Sequence, residues 1–166
     1  LLCRSDDGLR FRLDPGASGQ VGAPVLFGHG SGRRACDDAL GAQRESLGPT
    51  LDACYVAAFD AIAADTNQQL VVAVQGDTVV GTLQVSFIPG MARRGAWRGQ
   101  IEAVRIAAPL RGSGLGHRMF EWAIDTCRAR GCQLVQLTTD KTRSDAHRFY
   151  ESLGFVASHE GYKLTL

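Results

Sequence analysis

Residues 111–123, "RGSGLGHRMFEWA", place three glycines on alternate positions between an arginine and an amphipathic run. The strand-like "QIEAVRIA" (100–107) stops just before Pro109, and Met119, Phe120, Ala123, Ile124 and Cys127 recur at helical spacing behind the glycines. A strand that feeds a helix through so bare a turn leaves several main-chain N–H groups without partners and pointing outward. The helix dipole adds roughly half a positive charge at that end, and glycine lets a phosphate oxygen approach the backbone without meeting a Cβ. Gly112, Gly114 and Gly116 supply the bare surface, with a hydroxyl from Ser113 and a charge from Arg111. The alternative is a tight turn that binds nothing, which the same glycines permit. Two other phosphate loops fit less well: a dinucleotide fingerprint needs glycine at 117, where His117 stands, and a Gly-Lys-Ser/Thr sequence is absent.

Working outward, the helix ends near Gly131, and "QLVQLTT" (133–139) reads as a strand. "SDAHRFYESLG" (144–154) is a short helix with Ser144 as its cap, and "FVASHEGYKLTL" (155–166) a closing strand or hairpin. Upstream, "LVVAVQ" (70–75) and "TVVGTLQVSF" (78–87) are β-branched runs joined by the turn "GD". Before them, Leu51, Cys54, Tyr55, Ala58, Phe59 and Ile62 recur at helical spacing behind Pro49 and a Thr50 cap. Helix, hairpin, strand, helix, strand, helix, strand predicts one α/β (α+β) domain with a mixed central β-sheet and flanking helices. Residues 1–35 read differently. Seven glycines from Gly8 to Gly32 lie among polar residues, with only "LRFRL" and "APVLF" as weak strand candidates, so little regular structure is expected before Cys36.

A chain of 166 residues, 45% hydrophobic, suits a single core. Eighteen basic against seventeen acidic residues give no overall field to recruit a nucleic acid or an anionic membrane. The cysteines (Cys3, Cys36, Cys54, Cys127, Cys132) form no CxxC pair and no cluster with metal spacing, and their odd number argues against a disulfide framework. No metal site is expected, and a reducing cytoplasm is the simplest compartment. No apolar stretch approaches the ~18 residues of a spanning helix, and the start lacks a secretory pattern, so a soluble intracellular protein is expected.

Two separated motifs carry a resemblance. Arg111, Gly114 and Gly116 fit Arg/Gln-x-x-Gly-x-Gly/Ala between a strand and a long helix, and Ala146, Tyr150, Gly154 and Phe155 fit Ala-x-x-x-Tyr-x-x-x-Gly-Phe. In these motifs and their order the chain resembles the GNAT superfamily of N-acetyltransferases over residues 36–166. The resemblance implies a GNAT fold with splayed strands and acetyl-CoA as cosubstrate. Backbone N–H groups of residues 111–117, Leu115 and His117 included, would cradle the pyrophosphate. The pantetheine arm would lie along Val104, Arg105 and Ile106, where the strand splays from "QLVQLTT", and a main-chain N–H there would bond the thioester oxygen.

The reaction so implied is attack of an amine on a thioester. An alkyl ammonium has a pKa near ~10.4, so a carboxylate must collect its proton at neutral pH. Glu102 is the candidate base, its alternative being a surface strand glutamate; Tyr150 is the candidate acid for the leaving thiolate, its alternative a half-buried helix tyrosine. Arg143 stands where the family often has asparagine, and reaches a phosphate or substrate or is simply solvated. Residues 1–35 match the family's opening strand and helix poorly, and are atypical or not native upstream of "DDALGAQRE". The resemblance implies direct transfer in a ternary complex, so Cys127 and Cys132 read as core or edge thiols rather than nucleophiles. His117 aids phosphate binding or is a surface residue; His147 and His159 read as solvated. "MARRGAWR" (91–98) gathers an acidic acceptor or forms a subunit contact. The implied acceptor is a small-molecule primary amine, with protein lysine or N-terminal acetylation and a non-catalytic acyl-CoA sensor as alternatives. A homodimer is expected by analogy.

Overall fold

The computed structural model describes residues 3–4, 9–13, 53–76 and 78–166. Along them run β1 (Cys3–Arg4), β2 (Leu9–Leu13), α1 (Ala53–Ala64), β3 (Gln68–Gln75), β4 (Thr78–Pro89), β5 (Trp97–Ile106), a single 3-10 turn (Ala108–Leu110), α2 (Leu115–Ala129), β6 (Leu134–Leu137) and α3 (Ser144–Ser152). The strands form one sheet in the order β1 to β6. Every neighbouring pair is antiparallel except β5 and β6, which run parallel through the α2 crossover.

The β-branched runs make the hairpin β3–β4, closed by Gln75 opposite Thr78, and its alternation buries Val71, Ala73, Leu83, Val85 and Phe87 on one face. On that face lies α2, whose Leu115, Met119, Phe120, Ala123 and Cys127 form one buried stripe. Each large apolar side chain so buried contributes about 1.5–3 kcal/mol. Two sheet glycines admit the helix: a Cβ at Gly81 would lie 2.7 Å from Met119 Sδ, and one at Gly99 would collide with Cys127 Sγ. Burial pushes the Cys127 thiol up to about 12, the neutral form being favoured in an apolar surrounding. Cys127 is therefore a core thiol.

The helices α2 and α3 end by the same device. Gly131 (φ 83°) lets the Cys132 N–H reach Cys127 O and its own N–H reach Arg128 O, each at 2.9 Å. Gly154 (φ 85°) repeats it, with Phe155 N–H to Tyr150 O at 3.1 Å and its own N–H to Glu151 O at 3.0 Å.

Several sequence expectations need correction. "LRFRL" is a full strand, paired with β3 from Leu9–Gln75 to Leu13–Val71, so the glycine-rich opening does contribute to the sheet. "APVLF" and the Thr50 cap lie outside the described residues. In α1, Phe59 and Ile62 are half-buried but Ala58 is exposed, and the side chains of Cys54 and Tyr55 are outside the description. Ser144 is the first residue of α3 rather than its cap; the Asp140 carboxylate instead accepts the Thr142 amide (2.8 Å) and hydroxyl (2.7 Å) ahead of the helix. Those two bonds hold the Asp140 pKa below the ordinary carboxylate value. Residues 155–166 form no strand.

Because the Gly99 hydrogen faces a fully buried thiol, Gly99→Ala is expected to destabilise the fold by about 1–3 kcal/mol. Adding Cys127→Ala should recover part of that loss in a double-mutant cycle read from urea midpoints. Strict additivity of the two changes would contradict the packing described.

Candidate active site

The site is built around an irregularity in β5. Gln84 pairs with Glu102 and Thr82 with Arg105, so Leu83 alone opposes Ala103 and Val104. This bulge puts Ala103 at φ 52°, a left-handed conformation that costs an L-residue roughly 1–2 kcal/mol. One extra residue resets the alternation. Ala107 N–H bonds Val80 O on the β4 side at 2.9 Å, so the main-chain groups of Val104 and Ile106 face the opposite edge.

That opposite edge is open. β6 pairs with β5 only from Arg98–Leu134 to Ile101–Leu137, so beyond Ile101 the strands part and residues 102–106 have no strand beside them among the described residues. Two guanidinium groups occupy the freed carbonyls: Arg105 Nη1 donates to Val104 O (2.9 Å) and Arg111 Nε to Ile106 O (3.3 Å). Past the end of β6, Thr139 Oγ1 is buried without a hydrogen-bond partner.

The chain then reaches the glycine turn. Gly112 (φ 79°) and Gly114 (φ 83°) are left-handed, as only glycine accepts cheaply, and a Cβ at either would meet nothing within 4 Å. Gly116 is not held to glycine in this way: a Cβ there would stand at ordinary contact distance from Phe149, 3.4 Å. Gly114 caps α2 without a side-chain bond. The Arg111 and Ser113 amides are spent inside the turn, on Ala108 O (3.2 Å) and Leu110 O (3.3 Å), and the Ser113 hydroxyl also donates to Leu110 O (2.7 Å). The amides of Gly112, Gly114, Leu115, Gly116 and His117 have no backbone acceptor among the described residues. The nest is thus five amides at the positive end of a 15-residue helix.

Of the remaining candidates, Glu102 is exposed, with no hydrogen bond or ion pair among the described residues. On its face of the sheet lies a polar row that crosses four strands in register: Gln68, Ser86, Gln100 and Gln136. Gln68 Oε1 accepts Ser86 Oγ (2.7 Å) and Gln84 Nε2 (3.0 Å), and Gln136 Nε2 donates to Gln100 Oε1 (2.7 Å). Tyr150 is half-buried among Phe120 (5.6 Å between centroids), Phe149 (5.6 Å) and Phe155 (6.3 Å), and its hydroxyl has no hydrogen-bond partner among the described residues. His117 turns to α3, its ring edge-on to Phe149 at 4.9 Å and its Nε2 3.3 Å from Ser152 Oγ. Arg143 is exposed at the start of α3. The arginines of the 91–98 loop sit at the far end of β5, where Arg93 and Arg94 are exposed with φ of 53° and 61°.

Sequence reading missed the bulge, the polar row and the orphaned Thr139 hydroxyl. The first had a signal: the apolar positions Ile101, Val104 and Ile106 break a period of two.

The acetyltransferase (GNAT) family model matches residues 36–155. The chain belongs to that family. Within it, the chain is similar to an aminoalkylphosphonate N-acetyltransferase from Salmonella typhimurium, 32% identical over 108 residues, 63% of this chain and 70% of that protein. Among solved structures, one from Bacillus halodurans C-125 described as a transcriptional regulator is 48% identical, with a TM-score of 0.75 over 81% of this chain and 89% of that one. Glucosamine-6-phosphate N-acetyltransferase from Arabidopsis thaliana shares the fold at 20% identity, with a TM-score of 0.67 over 95% of this chain and 97% of that one. Among the described residues of this GNAT protein, no helix is long and apolar enough to cross a membrane.

If Ala103 is left-handed, Ala103→Gly should stabilise the fold by about 0.5–1 kcal/mol, and the β-branched Ala103→Val should cost more than about 1 kcal/mol. Urea midpoints check both; a neutral valine would contradict the bulge.

Proposed function

We propose that this GNAT protein is an acetyl-CoA-dependent N-acetyltransferase that acts on the primary amine of a small molecule by direct transfer. The observation that carries the reading is the continuity of two backbone surfaces left bare by the described residues: the edge of β5 at Val104 and Ile106 leads into five amides at the mouth of α2 that have no backbone acceptor there. The first suits an extended arm that hydrogen-bonds like a strand, and the second suits a diphosphate. Acetyl-CoA has both parts and supplies an acetyl thioester. Gly112, Gly114, Leu115, Gly116 and His117 would hold the diphosphate through their amides. Arg111 and Arg105, released from the carbonyls they now cap, would add charge and leave those carbonyls to the arm. Arg143 is placed as an exposed charge at the start of α3.

The acceptor amine arrives as an ammonium ion. Glu102 would take its proton, directly or through a water, and the polar row beneath would keep that water and the acceptor ordered. A main-chain N–H of Val104 or Ile106 would polarise the acyl oxygen, and the Tyr150 hydroxyl would give its proton to the departing sulfur. Cys127 takes no part, being neutral and buried. By its name, the Salmonella relative acetylates an aminoalkylphosphonate, so small amines that bear an anionic group are the first acceptors to assay. The free thiols of Cys127 and Cys132 suit the reducing cytoplasm in which we place the protein.

A second reading, a coenzyme-binding regulator without turnover, is favoured by the description of the Bacillus halodurans structure. Thiol release with a panel of amines separates the two. The enzyme reading expects turnover with at least one small amine, a fall in kcat of about 10²-fold in Tyr150→Phe, and a deficit in Glu102→Gln that shrinks as pH rises toward the ammonium pKa of ~10. Acetyl-CoA binding without turnover of any amine would favour the regulator.

A further inference from the structure

On the enzyme reading above, we infer that Arg105 holds an anionic group of the acceptor, so that the site selects a short amine with an oxyanion, phosphonate or carboxylate, about two carbons from its nitrogen.

The placement follows from the β5 bulge. Gln84 stands opposite Glu102 and Thr82 opposite Arg105, and residues 82 and 84 share one face of β4. Val104 and Ile106, on either side of Arg105, pack their side chains on the core, so Arg105 emerges on the polar face with Glu102. In a regular strand residues 102 and 105 would lie on opposite faces, and the guanidinium would enter the core, where a charge is costly. The extra residue brings a carboxylate and a guanidinium to one surface, two β4 residues or about 7 Å apart along the strand.

That separation fits a zwitterion. An ammonium at Glu102 and an oxyanion at Arg105, each in a charge-assisted contact of about 2.8 Å, leave room between them for about two carbons. A diamine would set its second ammonium against the guanidinium. Arg105 is half-buried, and its Nη1 donates to Val104 O (2.9 Å) at the open edge of β5, on the border between the proposed coenzyme slot and the acceptor face. When the coenzyme arm takes that carbonyl, the guanidinium turns to the acceptor, whose oxyanion is a stronger hydrogen-bond acceptor than the carbonyl it leaves. Arg98 shares the polar face but pairs with Ile88, four β4 residues or about 14 Å from the Gln84–Glu102 pair. A small acceptor with its nitrogen at Glu102 does not reach it.

The test compares 2-aminoethylphosphonate and β-alanine with the neutral 3-aminopropanol at saturating acetyl-CoA, so that the ratio between acceptors cancels any effect on the coenzyme. Both anionic amines should exceed the neutral one in kcat/KM by at least about tenfold. Arg105→Gln should lower that preference about 10- to 100-fold, chiefly through the acceptor KM, and Arg105→Lys should keep part of it. Calorimetry of the two anionic amines with the coenzyme A-loaded protein gives a reading that needs no turnover, and Arg105→Gln should weaken their binding at least about tenfold. Binding of that kind without acetyl transfer would uphold the role of Arg105 and defeat the enzyme reading. Turnover indifferent to the anion, a preference that survives Arg105→Gln, or one lost in Arg98→Gln instead would overturn the inference and leave the enzyme reading standing. A loaded protein that binds neither anionic amine would overturn it as well.

Discussion

A single extra residue in β5 sets the geometry of the site. Up to Ile101 the strand alternates regularly, with its main-chain groups satisfied by β4 on one side and β6 on the other. The bulge at Ala103 and Val104 then shifts the alternation. Glu102 stays on the polar face opposite Gln84, Val104 and Ile106 turn their side chains to the core, and their main-chain groups face the edge that β6 has left. Without the insertion, Val104 would share the polar face with Glu102, and the exposed main-chain edge would pass to other residues. The left-handed Ala103 is the local cost, offset by the strand pairs on either side.

The two glycine motifs on which the family resemblance rests have different physical origins. Gly112 and Gly114 are left-handed in open space, and their amides, with those of Leu115, Gly116 and His117, lack backbone partners among the described residues. Packing alone leaves that arrangement unexplained, and an anion would satisfy it. The Tyr-x-x-x-Gly-Phe spacing has a sufficient structural cause. Gly154 is the left-handed cap of α3, Phe155 returns its N–H to Tyr150 O, and the two rings pack against each other at 6.3 Å. The spacing thus argues for a helix end, and the catalytic role proposed for Tyr150 rests on its unpartnered hydroxyl.

Elements with strong local signals were legible in the sequence. The β3–β4 hairpin follows from β-branched runs, and α2 from its apolar stripe and Gly131. What local pattern could not reveal depended on tertiary partners. "LRFRL" looks weak because its pairing partner, β3, lies some sixty residues away. The closing segment 155–166 has the composition of a strand or hairpin, but it joins no strand among the described residues. Ser144 has the right chemistry for a cap, yet Asp140 secures the turn from farther upstream. At the site, the nest was readable in outline, while the loss of the Arg111 and Ser113 amides to the turn depends on the 3-10 segment that precedes it. The polar row from Gln68 to Gln136 depends on strand register, which no single strand encodes.

The central claim is that the open edge of β5 and the mouth of α2 form one continuous backbone surface for coenzyme A. Amide hydrogen exchange with and without coenzyme A addresses it most directly. The account predicts added protection together at Val104 and Ile106 and at Gly112, Gly114, Leu115, Gly116 and His117. Saturating coenzyme A that left both groups exchanging at their original rates would contradict it.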